Sequence, residues 1–240
     1  MLKSGSNFEI DNYTFCGKGR EKKSSGRVGI LVNNQVKQIV TPHETQREIE
    51  IIWVSVRRRD KKPIFIGVYY GLQESKNTRN NMLEEMDKLS DEIREKKDEG
   101  ELILFMDGNG KIGLLGEELS RNGKLLQDVF GECELEVMNR SGKCKGSITR
   151  VNRKNPDERS AIDFLVVSEE AEQAVEKVEI DEEGDFLLKG SAASDHNSFL
   201  VDHRLQNADI GRKDKLVRWR LNAPAEKWIQ FKDELTLKSR

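Results

Sequence analysis

In the stretch FMDGNGKIG, residues 105–113, an apolar run ends in a carboxylate, Asp107, and Asn109 follows between two glycines. A carboxylate at the tip of a buried strand is held by the sheet and partly desolvated, which suits a metal ligand or a group that orients water. The glycines let a ligand approach the backbone closely, and the Asn109 amide offers both a donor and an acceptor. Taken alone, the same letters read first as an ordinary Asp-Gly-Asn-Gly turn. A second carboxylate, Asp163, interrupts the apolar run AIDFLVV. A lone charge there costs several kcal/mol unless it is paired. A third element, SDHNSFLVD, places Asp195 and His196 before another apolar run. A histidine held by a buried carboxylate is fixed in one tautomer and made more basic. Asp-His before a strand is also a plain polar turn, yet three strand-end acids, one with an imidazole beside it, are hard to read as three unrelated turns. His43 and His203 lack such a setting and are expected at the surface.

The elements that must position these groups are β-rich runs: RVGILV, EIEIIWVSV, IFIGVYY, LILFM, AIDFLVV and SFLV. In the second, Ile49, Ile51, Trp53 and Ser55 share one parity, and Glu48, Glu50, Ile52 and Val54 the other, as in a strand. Met82, Met86, Leu89 and Ile93 step by helical spacing toward Gly100, so 78–99 is predicted to be an amphipathic helix with its charged face in water. A second helix is predicted over 124–130. A third is predicted from Ser168, whose hydroxyl can cap it while Glu169 and Glu170 favour its positive end. These runs imply strands of one or two sheets with covering helices. No internal repeat is present.

At 240 residues the chain can bury a large α/β core. Equal shares of hydrophobic and charged residues, with the apolar ones gathered into runs, imply a folded domain with a very soluble surface. A net charge of -2 gives no global attraction to nucleic acid, so such a partner has to be argued from local charge. Two basic clusters exist: Arg140, Lys143, Lys145, Arg150, Arg153 and Lys154, without an intervening acid, and Arg57, Arg58, Arg59, Lys61 and Lys62. Each can neutralise phosphates, or can simply be a solvated loop. The three cysteines, Cys16, Cys133 and Cys144, show neither disulfide nor zinc spacing, and reduced thiols are expected. Without an apolar run of membrane-spanning length or a signal pattern, no membrane association is expected and an intracellular location is.

The motifs together carry a resemblance. MDGNGKIG resembles the D-x-N motif, SAIDFLVVSEE the S-x-I-D-[YF] motif and SDHNSFLV the terminal S-D-H motif of the endonuclease/exonuclease/phosphatase superfamily, in the same order and with fitting spacing. SSGRVGILV, VYYGLQES and GSITR resemble further segments of that fold. The segment after Tyr70 and LLGEELSRNGKLL look most similar to endonuclease domains of LINE-type, non-LTR retrotransposons. The resemblance implies an α+β fold: a four-layered sandwich of two packed mixed sheets flanked by helices, like deoxyribonuclease I. It would occupy residues 1–205. The basic segment 206–240, with helical spacing of Trp228, Phe231 and Leu235, resembles a connector toward a reverse transcriptase.

What the resemblance implies for function is metal-dependent phosphodiester cleavage, nicking DNA, with Mg2+ or Mn2+ as cofactor. By that likeness Asp107 positions or deprotonates water, Asn109 binds the scissile phosphate, and His196, oriented by Asp163, stabilises developing charge or acts as base. Asp195 lies at the metal. Tyr70 donates to a phosphate oxygen, with Tyr69 as the competing alignment because the double tyrosine blurs the register. Thr149, Arg150 and Arg153 are further expected substrate contacts, although a threonine in a strand is often only a good strand former. Expected partners are DNA and, in the full element, a reverse transcriptase domain, for a monomer acting in the nucleus. The superfamily's first strand and helix, with their metal-binding glutamate, have no match here. An impaired remnant that at most binds nucleic acid is therefore the alternative.

Overall fold

The computed structural model describes residues 9–10, 12–18, 28–73, 79–152, 154–183, 195–205 and 218–220. The chain begins with β1 (Glu9–Ile10), β2 (Tyr13–Lys18) and β3 (Val28–Asn33), which form a small antiparallel sheet in the order β1-β2-β3. There follow β4 (Val40–His43), β5 (Ile51–Val56), β6 (Ile64–Tyr70), α1 (Arg79–Glu99), β7 (Glu101–Asp107), α2 (Arg121–Glu132), β8 (Leu135–Val137) and β9 (Cys144–Lys145). A hairpin of β10 (Arg150–Val151) and β11 (Arg159–Ser160) leads into β12 (Asp163–Ser168), α3 (Glu169–Ala174), β13 (Val175–Ile180), β14 (Phe199–His203) and β15 (Arg218–Arg220).

The frame is a six-stranded mixed sheet in the order β4-β5-β6-β7-β12-β8, in which only β6 and β7 run parallel. Its central strands are buried on both faces, which explains why their sequences are continuous apolar runs. On one face Ile51, Trp53, Tyr69, Leu102, Leu104, Met106, Phe164 and Val166 pack against Met86, Leu89 and Ile93 of α1 and Leu126, Val129 and Phe130 of α2. On the other, Ile52, Val54, Val56, Ile64, Ile66, Ile103, Leu165 and Val167 meet a second layer. That layer consists of β1-β2-β3 and a four-stranded sheet, β15-β14-β13-β9, and these two are not hydrogen-bonded to one another among the described residues. The result is an α+β sandwich.

The helices depart from expectation in informative ways. α1 carries the predicted apolar face, but two of its acids are not in water. Glu92 is 2% exposed and accepts from Thr45 and Arg47, and Glu85 accepts from the Tyr69 hydroxyl. Arg47 also grips Glu95, tying the segment before β5 to the helix. α2 starts three residues before the predicted 124 because the Ser120 hydroxyl accepts from Gly123 N at 3.0 Å and caps it. Ser168 does not cap α3. Its hydroxyl accepts from Leu102 N at 3.1 Å across the sheet, although Glu169 and Glu170 do occupy the first turn.

His203 is a correction: it shares parity with Phe199 and Val201 on β14 and lies at 1% exposure in the core between the layers. His43 is half-buried, bonded to the Ser55 hydroxyl and packed against Phe65. The three cysteines are free thiols. Of the segment 206–240 only Arg218–Arg220 is described, and it adds an antiparallel strand to β14. The helix expected around Trp228 lies outside the described residues. No described helix is long and apolar enough to cross a membrane.

Candidate active site

Register brings the first three groups together. Tyr70 pairs with Asp107 across the parallel β6–β7 ladder, and Asp107 pairs with Asp163 across the antiparallel β7–β12 ladder. Directly paired residues on neighbouring strands project from the same face. Tyr70, Asp107 and Asp163 thus form a row at one end of the six-stranded sheet, on the side of the second layer. Tyr69, one residue earlier, projects from the opposite face. It is 1% exposed and its hydroxyl donates to Glu85 at 3.0 Å, so it is not placed to touch a substrate and the competing alignment is withdrawn.

The second layer supplies His196, just before β14. Its Nδ1 lies 3.0 Å from both oxygens of Asp163, and its Nε2 lies 4.0 Å from Asp107 Oδ2 and 3.9 Å from Asp195 Oδ1. The other oxygens of those two acids are fixed. Asp107 Oδ1 accepts from Asn109 N at 3.1 Å, and Asp195 Oδ2 accepts from Arg150 Nε at 2.9 Å. The turn reading of Asp-Gly-Asn-Gly is therefore correct and compatible with a site. Asn109 adopts a left-handed φ of 46°, and its amide donates to Gly71 O at 2.8 Å.

Charge follows from this geometry. Burial and the neighbouring Asp163 push the Asp107 carboxyl up to about 6, against the opposing pull of His196, Asn109 and Arg150. Burial works against charge on His196, but the hydrogen bond and charge of Asp163, with Asp107 and Asp195, outweigh it and raise its pKa. Burial likewise works against a charged Asp195, but the Arg150 contact prevails and holds it below the usual carboxylate range.

The remaining expected contacts divide. Thr149 is fully buried, and its hydroxyl accepts from Ile162 N at 2.9 Å and Asp163 N at 3.0 Å, while its carbonyl accepts from Asn197 N at 2.6 Å. It fixes the backbone on both sides of the Asp163–His196 pair rather than contacting a substrate, which corrects the expectation. Arg150 stands at the site, but Arg153 lies outside the described residues. A cavity of about 220 Å3 opens beside Asn109, lined by Lys111, Ser120, Arg150, Glu158, Arg159 and Ile162. Within the first basic cluster Arg140 and Lys143 are spent on the carbonyls of Ile112 and Glu172. In the second, Arg58 is buried and paired with Glu101, at the opposite end of β7 from Asp107. Two scaffolding residues carried no chemical signal in the sequence: Asn139, bridging Asp163 O and Leu165 N, and Asn122, buried behind Asn109.

The donor set suits a divalent cation. Asp107, Asp163 and His196 each offer a ligand atom, all within 4.8 Å of one another. Asp195 also directs one oxygen toward Nε2, at 3.9 Å, without joining that group of three. Carboxylate oxygens fit a hard cation such as Mg2+ or Mn2+.

No family model and no curated protein matches the sequence. Solved structures do match. The chain resembles the endonuclease domain of TRAS1, a telomere-specific non-LTR retrotransposon, at 20% identity and a TM-score of 0.58, with 81% of each chain covered. It resembles the 3′–5′ exonuclease NExo from Neisseria meningitidis at 15% identity and a TM-score of 0.59, with 80% of each chain covered. For the AP endonuclease LMAP from Leishmania major the identity is 10% and the TM-score 0.61, covering 80% of this chain and 70% of the other. The chain has the endonuclease/exonuclease/phosphatase fold, like that of deoxyribonuclease I.

Proposed function

We propose that this protein hydrolyses phosphodiester bonds in DNA with the help of a divalent cation, nicking one strand as the endonuclease part of a non-LTR retrotransposon. The observation that carries the reading is the convergence of Asp107, Asp163, Asp195 and His196 at one end of the large sheet, beside Asn109 and Arg150. The likeness to the TRAS1 domain supports the retrotransposon setting, in which a reverse transcriptase domain is the partner and the nucleus the place of action.

Each residue has a defined task. Asp163 keeps the proton on His196 Nδ1, so that Nε2 faces the reaction centre. The raised pKa favours the imidazolium, whose Nε2–H stabilises negative charge developing on the phosphate. Asp107, also raised, orients the attacking water and takes its proton. One amide hydrogen of Asn109 is used by Gly71 O, leaving the second for a phosphate oxygen. Tyr70 donates to another phosphate oxygen, and Arg150 adds positive charge while holding Asp195. Asp195 would help to hold the Mg2+ or Mn2+ ion, which when bound neutralises charge on the phosphoryl group and lowers the pKa of water.

The test is nicking of supercoiled plasmid with Mg2+ or Mn2+. The parent chain is expected to yield relaxed circles, EDTA to stop the reaction, and Asp107→Ala and His196→Ala to be inactive. Equal cleavage by parent and variants overturns the site. A parent that binds DNA without cutting it favours the reading as an impaired, nucleic-acid-binding remnant.

A further inference from the structure

Helix α2 begins directly on the turn that carries Asn109. A Cβ on Gly123 would lie 1.8 Å from Lys111 O, and one on Gly110 would lie 2.7 Å from both Asn122 Cβ and Gly123 N. The helix start therefore presses closely on the backbone of the turn here. From this contact the Asn122 side chain reaches inward at 1% exposure. Its Nδ2 donates to Leu72 O at 2.9 Å and to Asn109 O at 3.2 Å, using both hydrogens of one nitrogen. Its Oδ1 has no partner among the described residues.

The two carbonyls belong to different strand ends. Leu72 follows β6, just beyond Tyr70, and Asn109 follows β7, just beyond Asp107. The same two segments are joined by Gly71 N to Asp107 O at 2.7 Å and by Asn109 Nδ2 to Gly71 O at 2.8 Å. Asn109 has a left-handed backbone, which costs on the order of 1 kcal/mol and persists only where surrounding bonds determine it. The helix does not need Asn122 for its own sake, because Ser120 already caps it. An aspartate would present acceptors to two carbonyls, and a leucine of similar size would take this donor away from both.

We infer that Asn122 is a positioning residue, holding the Gly71–Leu72 segment and the Asn109 turn as one rigid rim so that Tyr70 and Asn109 address a phosphate at fixed separation. This rests on the function proposed above. A misplacement of about 1 Å in such a rim is enough to cost roughly 100-fold in rate.

The test compares the parent with Asn122→Leu. Residue-resolved hydrogen exchange is expected to quicken by about 10-fold or more at the Gly71 and Asn109 amides, while Leu104 and Phe105 in mid-strand stay unchanged. In plasmid nicking, kcat is expected to fall about 10- to 100-fold with KM within about 3-fold, and Asn122→Leu combined with Asn109→Ala to be no slower than Asn109→Ala alone. Unchanged exchange at Gly71 and Asn109, or multiplicative losses in the double variant, overturns the assignment. A parent chain that does not nick defeats the proposed function, and the exchange measurement then decides the role of Asn122 by itself.

Discussion

His196 Nδ1 lies 3.0 Å from both carboxylate oxygens of Asp163, so a single acid grips the imidazole symmetrically and turns its other nitrogen toward Asp107 and Asp195. That grip sets both the orientation and the basicity of the ring. In metal-free protein, Asp163→Asn is expected to make His196 titrate at lower pH than in the parent, as followed by NMR. Cleavage should fall by about 100-fold or more. An unshifted titration would show that Asp163 is not what holds the proton on the ring.

The adjacent tyrosines separate site from scaffold. Tyr70→Phe is expected to slow nicking while leaving Tm nearly unchanged, because its hydroxyl is assigned to the substrate. Tyr69→Phe is expected to leave nicking intact but to lower stability by about 1–3 kcal/mol, since Glu85 loses its buried donor. The reverse pattern in thermal melts and nicking rates would mean that the β6–β7 register is shifted by one residue.

Asp107 is held at a cost to the fold. Its pKa rises from 3.8 to about 6, so the folded state binds the proton more tightly than the unfolded state does. Stability from this group is present below 3.8 and declines as pH climbs through about 6, a difference of roughly 3 kcal/mol. Asp107→Asn is therefore expected to melt at higher temperature than the parent at pH 7 in EDTA, while losing cleavage. A lower melting temperature would contradict the burial of that charge.

At the other end of the sandwich, His203 has neither ring nitrogen bonded among the described residues, and burial, aided by Arg58 and opposed by Glu101 and Glu176, depresses its pKa to about 4. The unfolded chain takes up this proton near 6.5 and the folded chain only near 4. Stability is thus complete above about 6.5 and drops by roughly 3 kcal/mol as pH falls toward 4. Denaturant midpoints measured across that window should lose this part of their slope in His203→Leu. Persistence of the full slope would assign it to other groups.

Much of this was legible in the letters, for physical reasons. Strands buried on both faces must be apolar throughout, so β5, β6, β7 and β12 stand out, and a charge such as Asp163 inside one of them demands a partner. The choice between Tyr69 and Tyr70 was not legible, because adjacent residues of one type differ only in which face the ladder assigns them. The burial of His203 was legible in principle, since Phe199, Val201 and His203 share a parity. The role of Thr149 is not legible, because a hydroxyl that accepts two backbone N–H groups looks, in sequence, like one that meets a ligand. Asn122 gave only Ser120, two residues before it, and the adjacent Gly123 as a sign that a helix start presses on another backbone.

The row Tyr70, Asp107, Asp163 crosses three neighbouring strands at one level. The gap between successive members is therefore dictated by the ladder itself, about 4.8 Å per strand, and not by any connecting segment. Insertions in the crossovers can lengthen or shorten what surrounds the centre without stretching this built-in ruler. A change of specificity is thus open to the loops, whereas the spacing on which the chemistry depends alters only if the sheet is rebuilt.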